Sequence, residues 1–237
     1  MKYSLLLCLF FLIMASCDLI NYRKGNGDII SEKRLPENFT EIHFTGNYEI
    51  GLKKGLKEQL VIVTDGNLMD YIETEVQNGV LTVDASKRIY SHHGIKIFVT
   101  YQELSKVTSV GASIINTDGP LVSSRFELEV PGASLIDMEV EVIELDVMLA
   151  GAGSVKLRGQ AKNQVISLNG VGKLEAFNLE SESCEVTVSG MGGVEVNVKE
   201  NLNARVNGVG SIRYKGNPTH VDDRVSGLGT IQMAETG

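Results

Sequence analysis

From Gly111 to Ile231 apolar and polar residues alternate, and a glycine resets the alternation about every nineteen residues. The resetting phrase reads Gly111-Ala112-Ser113, Gly132-Ala133-Ser134, Gly151-Ala152-Gly153, Gly170-Val171-Gly172, Gly190-Met191-Gly192, Gly208-Val209-Gly210 and Gly227-Leu228-Gly229. Two positions before the later first glycines stand Val130, Leu149, Leu168, Val188, Val206 and Val225. Four positions after the first glycines stand Ile115, Ile136, Val155, Leu174, Val194, Ile212 and Ile231, and two further on Met138, Leu157, Ala176, Val196, Tyr214 and Met233. A period of two marks strands with one buried face. Each unit therefore reads as strand, glycine corner, strand and turn, with glycine where neighbouring coils come close.

The steps between first glycines are 21, 19, 19, 20, 18 and 19 residues, which predicts stacked coils of a solenoid. An antiparallel sandwich could also use Gly-x-Gly as a hairpin or bulge signal, but it does not require near-constant spacing through so many copies. Outward residues test the stacking. Five positions after the first glycines stand Asn116, Asp137, Lys156, Glu175, Glu195, Arg213 and Gln232, so coils in register put Lys156 between Asp137 and Glu175, and Arg213 beside Glu195.

Residues 32–110 are rich in strand patterns but less regular. Ile42, Phe44, Gly46, Tyr48 and Ile50 share one parity, like a worn copy of the later unit. Leu60–Thr64, Val80–Val83 and Ile95–Tyr101 read as strands, with Asn78-Gly79 a strong turn pair. Asn67–Thr74 reads as a single helical turn, and Ser91-His92-His93-Gly94 as a loop. The 65 residues from Gly46 to Gly111 would fit about three coils with insertions, and the aromatic content of this part suits a solenoid cap.

The start of the chain changes the picture of location. Lys2, the apolar run Leu5–Ile13 and then Met14-Ala15-Ser16-Cys17 form a secretory signal, too short to span a membrane. The pattern resembles a bacterial lipoprotein signal, which implies residues 1–16 as signal peptide and Cys17 as the lipidated first mature residue. The polar segment 17–31 reads as a tether, and residues 32–237 as one domain, irregular over 32–110 and repetitive over 111–233. Removing Lys2 with the signal takes the formal charge from −8 to −9, a balance that argues against nucleic acid and against a basic membrane-binding face, so that lipid rather than protein surface is expected to do the anchoring. Cys184 stands alone at an inward position and is expected to be a buried thiol.

A resemblance to a family rests on several stretches in order. These are Phe39-Thr40-Glu41-Ile42 leading into Gly46, the run Ile72–Val83, Val99-Thr100-Tyr101 with Leu104, the serial Gly-x-Gly and Tyr214-Lys215-Gly216-Asn217-Pro218. Over roughly residues 35–233 the chain resembles the GIN-type auto-transporter adhesin head domain, common among exported lipoproteins of Bacteroides-like bacteria. That resemblance implies an all-β, right-handed parallel β-helix-like solenoid. It implies adhesion and supplies no catalytic or binding residues.

Candidate chemistry is sparse. His92-His93 lacks carboxylates or cysteines at ligand spacing, and Asp222-Asp223 is a single acidic pair that no other coil repeats. No Gly-x-Ser-x-Gly occurs, and each Gly-x-Gly precedes a strand rather than a helix. A polysaccharide-acting β-helix enzyme would need clustered acids and aromatic platforms. The chain has no Trp, and from Gly132 onward only Phe177 and Tyr214 are aromatic. No catalytic, cofactor or metal site is expected. The expected function is a non-catalytic binding or adhesion module, lipid-anchored at the cell envelope, on the periplasmic or surface face of the outer membrane. Its partner would be a protein or glycan, with homo-oligomerisation left open. The alternative is a structural envelope protein without a dedicated ligand. A contact surface is best sought in Phe39–Tyr101, around Tyr90, His92 and His93, against the competing reading that those aromatics only cap the coils.

Overall fold

A computed structural model describes residues 22–234. The signal sequence and Cys17 lie outside the described residues. Among the described residues nineteen strands run in chain order, and seventeen of them join one continuous sheet. The repeats form β12 (Leu121–Val130), β13 (Ala133–Leu149), β14 (Ala152–Leu168), β15 (Val171–Val188), β16 (Met191–Val206), β17 (Val209–Lys215), β18 (His220–Val225) and β19 (Thr230–Met233). Consecutive repeats pair in parallel throughout. The protein is an all-β solenoid with coils about 19 residues apart.

The register follows the glycines. Asn116, Asp137, Lys156, Glu175, Glu195, Arg213 and Gln232 lie opposite one another in succession. Arg213 reaches Glu195 at 3.1 Å. Lys156, although in register, pairs with neither neighbouring acid: Asp137 is taken by Arg158 and Glu175 by Lys173. Arg158 stands two residues after Lys156 on its strand, and Lys173 two residues before Glu175 on the next, both within reach of long side chains. Register breaks occur only where β14, β15 and β16 carry bulges, near Arg158, Glu180 and Ser183.

One core runs through the stack. The inward columns are buried from Val130 to Val206, from Ile115 to Ile212 and from Met138 to Val196. Val225 and Met233 of the last coil are exposed, since no further layer covers them among the described residues. The corner glycines sit directly over one another. A Cβ added to Gly132, Gly151, Gly170, Gly190 or Gly208 would lie about 2 Å from the carbonyl oxygen of the preceding corner glycine. Cys184 is buried in an inward column beside Gln164 and Leu202.

The N-terminal part corrects the expectation of three coils between Gly46 and Gly111. A Cβ on Gly111 would strike the Gly46 carbonyl, and β11 (Ile114–Asp118) pairs with β4 (Glu49–Lys54). The two glycines, 65 residues apart, are thus successive rungs. Likewise β3 (Glu41–Phe44) lies between β10 (Lys106–Ser109) and β7 (Val80–Ala85), while β9 (Lys96–Tyr101) lies on the other side of β4. The intervening chain builds one layer outward and then an antiparallel cap, in which β5 (Gln59–Asp65) pairs with β2 (Ile29–Arg34) and β9, and β6 (Ile72–Gln77) with β7. Among the described residues helical structure is confined to the 3-10 turn Gly66–Tyr71. Ile72–Thr74, expected in that turn, belong instead to β6, whose hairpin with β7 closes through Asn78 (φ 52) and Gly79 (φ 79).

Candidate functional surfaces

The segment expected to be a tether is fastened to the cap from Tyr22 onward. β1 (Arg23–Lys24) pairs in parallel with β8 (Ile89–Tyr90). The Arg23 amide donates to the Arg88 carbonyl (2.7 Å), and the Gly25 amide to that of Tyr90 (2.9 Å). Asn67 exchanges hydrogen bonds with the Asn26 amide and the Lys24 carbonyl, both at 2.9 Å. Beneath them the buried Asp65 carboxylate accepts from the Gly27 amide at 2.6 Å. The adjacent Ser91 hydroxyl, together with the Gly27 amide and His93, holds this carboxyl below the usual range despite burial.

This fastening assembles an aromatic and cationic ledge. Tyr22 meets Tyr90 edge-on with ring centres 5.9 Å apart, and Tyr90 meets His92 at 5.1 Å. The Lys87 ammonium sits 5.1 Å from the Tyr71 ring centre, and the Arg23 guanidinium 6.0 Å from it. Beside them opens a cleft of about 480 Å³ lined by Tyr22, Tyr48, Asp84, Lys87, Arg88 and Tyr90. At its back the Tyr48 hydroxyl donates to the Thr45 carbonyl, and burial, with Asp84 second, pushes the phenol pKa up. Cations and half-exposed tyrosines suit an anionic ligand with an apolar or ring-bearing body.

Most other aromatics of Phe39–Tyr101 face inward. Phe39, Phe44, Tyr48 and Tyr101 are buried, leaving Tyr71 half-buried and Tyr90 and Phe98 exposed. Their parity puts them in the core, so capping accounts for these four. The His92-His93 loop is exposed and spends its hydrogen bonds on Tyr90 and Ser91. Asp222 pairs with Arg205 and Arg224. Among the described residues no three His, Cys, Asp or Glu side chains gather to hold a metal ion, and no helix is long and apolar enough to cross a membrane.

A second surface comes from the residue between the corner glycines. Ala133, Ala152, Val171, Met191 and Val209 stack in register, and Leu228 follows. Val171, Met191 and Val209 are each a little over half exposed and Leu228 is 80% exposed. Ile114 and Leu135, also exposed, stand in the neighbouring outward column of the coils next to the cap. One flank carries Asn169, Ser189, Asn207 and Ser226 and is uncharged, while the other carries Ser154, Gly193 and Ser211 together with Lys173, which is paired with Glu175 and Glu195. Elsewhere the stack is laced with ion pairs, Lys106 bridging Glu127 and Glu129 for example. The sequence signal for this ridge was present in the middle letter of each repeat phrase.

The family model described as "Putative auto-transporter adhesin, head GIN domain" matches residues 38–218. The chain is similar to the crystal structure of a putative adhesin from Bacteroides fragilis NCTC 9343, with TM-score 0.86, 27% identity, and 89% of this chain and 99% of that one covered. It shares its fold with a putative lipid binding protein from Parabacteroides distasonis ATCC 8503, at TM-score 0.73 and 22% identity over 91% of this chain and 100% of that one. A putative adhesin from Parabacteroides merdae ATCC 43184 likewise shares the fold, at TM-score 0.67 and 21% identity over 91% and 100%. No curated protein matches the chain.

Proposed function

The chain belongs to the auto-transporter adhesin head GIN domain family, and from that premise we propose that it is a non-catalytic binding module, lipid-anchored to the outer membrane through Cys17. The observation that carries the binding role is the apolar ridge. A rigid stack displays Val171, Met191, Val209 and Leu228 at roughly 4.8 Å intervals, beside one flank of Asn and Ser side chains that requires no charge to be desolvated. Exposed apolar bands of this kind mark contact surfaces for protein or glycan partners.

The test compares the wild type with Val171→Thr/Met191→Gln/Val209→Thr in binding to envelope and host-surface extracts. Each side chain keeps about half its area to bury, worth about 1 kcal/mol, so the triple variant should bind on the order of a hundredfold more weakly. Undiminished binding would remove the ridge from the contact. Hydrolase or lyase activity on envelope polysaccharide would replace this function with an enzymatic one. The anchor is checked separately with a fatty-acid analogue, which should label the wild type and spare Cys17→Ala.

A further inference from the structure

We propose that the ledge formed by Tyr22, Arg23, Lys24, Lys87, Arg88 and Tyr90 docks the capped end of the solenoid on the anionic phosphate headgroups of the membrane. It rests on the envelope location proposed above, not on the ridge. The pairing of β1 with β8 gathers four cations along one short ribbon, Lys87 and Arg88 lining the cleft, Arg23 standing with Lys87 over the Tyr71 ring, and Lys24 opposite Tyr90. Among the described residues none of the four makes an ion pair, although the chain as a whole carries a net charge of −8. Lys106, Lys173 and Arg213 on the coils do find acids. Among the described residues the only acid lining the cleft is Asp84.

The rings give the same indication. Tyr22 and Tyr90 are about half exposed and stand edge-on to each other beside the cleft. Tyrosine with arginine and lysine is the composition that settles at a membrane interface, ring toward the acyl boundary and cation toward phosphate. Chain length completes the case. Tyr22, the first described residue, already packs against Tyr90, and only five peptide steps separate it from Cys17, a reach of at most roughly 17 Å. A lipid on Cys17 therefore holds the ledge close to the headgroups, with the coils extending away.

The experiment uses the chain from Asp18 onward, without an anchor. It retains every described strand, and all strand pairings fall within 22–234. Sedimentation is measured with phosphatidylcholine vesicles with and without phosphatidylglycerol. The wild type should bind only the anionic vesicles, and less as salt rises. Lys87→Gln/Arg88→Gln should lower partitioning about 25-fold, at about fivefold per cation near an anionic surface, with an unchanged unfolding midpoint. The ridge triple variant should sediment like the wild type, which separates this docking from the adhesive role. Equal binding to neutral vesicles, or an unaffected double variant, would overturn the proposal. So would calorimetric binding of soluble glycerol phosphate without vesicle binding, which would make the cleft a site for a free anion.

Discussion

Replacing Gly170 by alanine tests the central constraint of the fold. The new Cβ would stand 1.8 Å from the Gly151 carbonyl oxygen and 2.5 Å from that of Ala150. Both obstacles are backbone, so no rotamer change relieves them. Restoring ordinary contact at 3.4 Å means opening the corner by roughly 1.6 Å, against a strand spacing of about 4.8 Å. That movement breaks the bonds from the Val171 amide to the Gly151 carbonyl (2.9 Å) and from the Asn169 amide to the Leu149 carbonyl (2.9 Å). A buried backbone group left unpaired costs about 1–3 kcal/mol, so the variant should lose about 3–5 kcal/mol. Two controls separate this clash from glycine effects in general. At Gly193 a Cβ would meet the Ser211 hydroxyl at 3.4 Å and its carbonyl at 3.8 Å, both ordinary contacts, so alanine there should change stability by less than about 0.5 kcal/mol. At Gly119 there is open space but φ is +87, so alanine should cost about 1–2 kcal/mol of backbone strain. Urea unfolding followed by circular dichroism ranks the three. If Gly170→Ala unfolds within 0.5 kcal/mol (about the threshold for a neutral surface change) of Gly193→Ala, close carbonyl stacking does not dictate the glycines.

Gln164 is buried in the core and neither amide atom finds a partner; Gln164→Leu, matching Leu145 in the same column, should raise stability by about 1–3 kcal/mol, and a lower unfolding midpoint would count against it. Val188→Asp puts a charge at a fully buried position and should cost several kcal/mol, on the order of 3–5, in the same assay. Cys184, whose thiol burial and then Glu185 push up to about 12, should resist maleimide in native protein from Asp18 onward and react once urea unfolds it; rapid native labelling would contradict its placement. Asp65 has a depressed pKa, so its hold on residues 25–28 is present above the ordinary aspartate range and is lost as pH falls through the folded value. Asp65→Asn should therefore speed hydrogen exchange at Gly25 and Gly27 at neutral pH and flatten its acid dependence, whereas unchanged exchange would show the strap is fastened elsewhere.

The solenoid was legible because parallel stacking in register writes the same requirement once per coil. Val130, Leu149, Leu168, Val188 and Val206 are buried for one reason, and the phrase around each glycine repeats it. The cap was less legible because its pairing partners are not neighbours in order. Nothing local to Gly46 says that its next rung is Gly111, since the chain leaves to build β5, β6, β7 and β9 and then returns. Ile72–Thr74 has a pattern too short to distinguish a helical turn from a strand, and the β7 hairpin decides it. The polarity of Asn21–Asp28 suited a tether, while the fastening came from Asn67 and the buried Asp65 some forty residues away. The ledge was invisible for the same reason: Arg23 and Lys24 meet Lys87 and Arg88 only through the β1–β8 pairing.

The same corner that constrains the fold also leaves its surface free to vary. The first glycine of each phrase cannot carry a side chain, because the carbonyl of the rung before it occupies the space. The third position faces inward, where it is Tyr48, Ser113 and Ser134 at the capped end and glycine in every later coil. Only the middle residue projects outward, and it does so between bare neighbours. Any side chain there stands proud of the surface and is aligned with its counterparts by backbone pairing alone. A change from Ala133 and Ala152 to Val171, Met191, Val209 and Leu228 thus enlarges a continuous ridge without altering the core, the register or the ion-paired faces. Adhesion asks for that separation: a contact surface that can change residue by residue on a stack whose spacing is held by glycine. In this chain the enlargement of the middle residue runs away from the cap, so Met191 and Leu228 stand further than Ala133 and Ala152 from the ledge that faces the membrane in the arrangement proposed above.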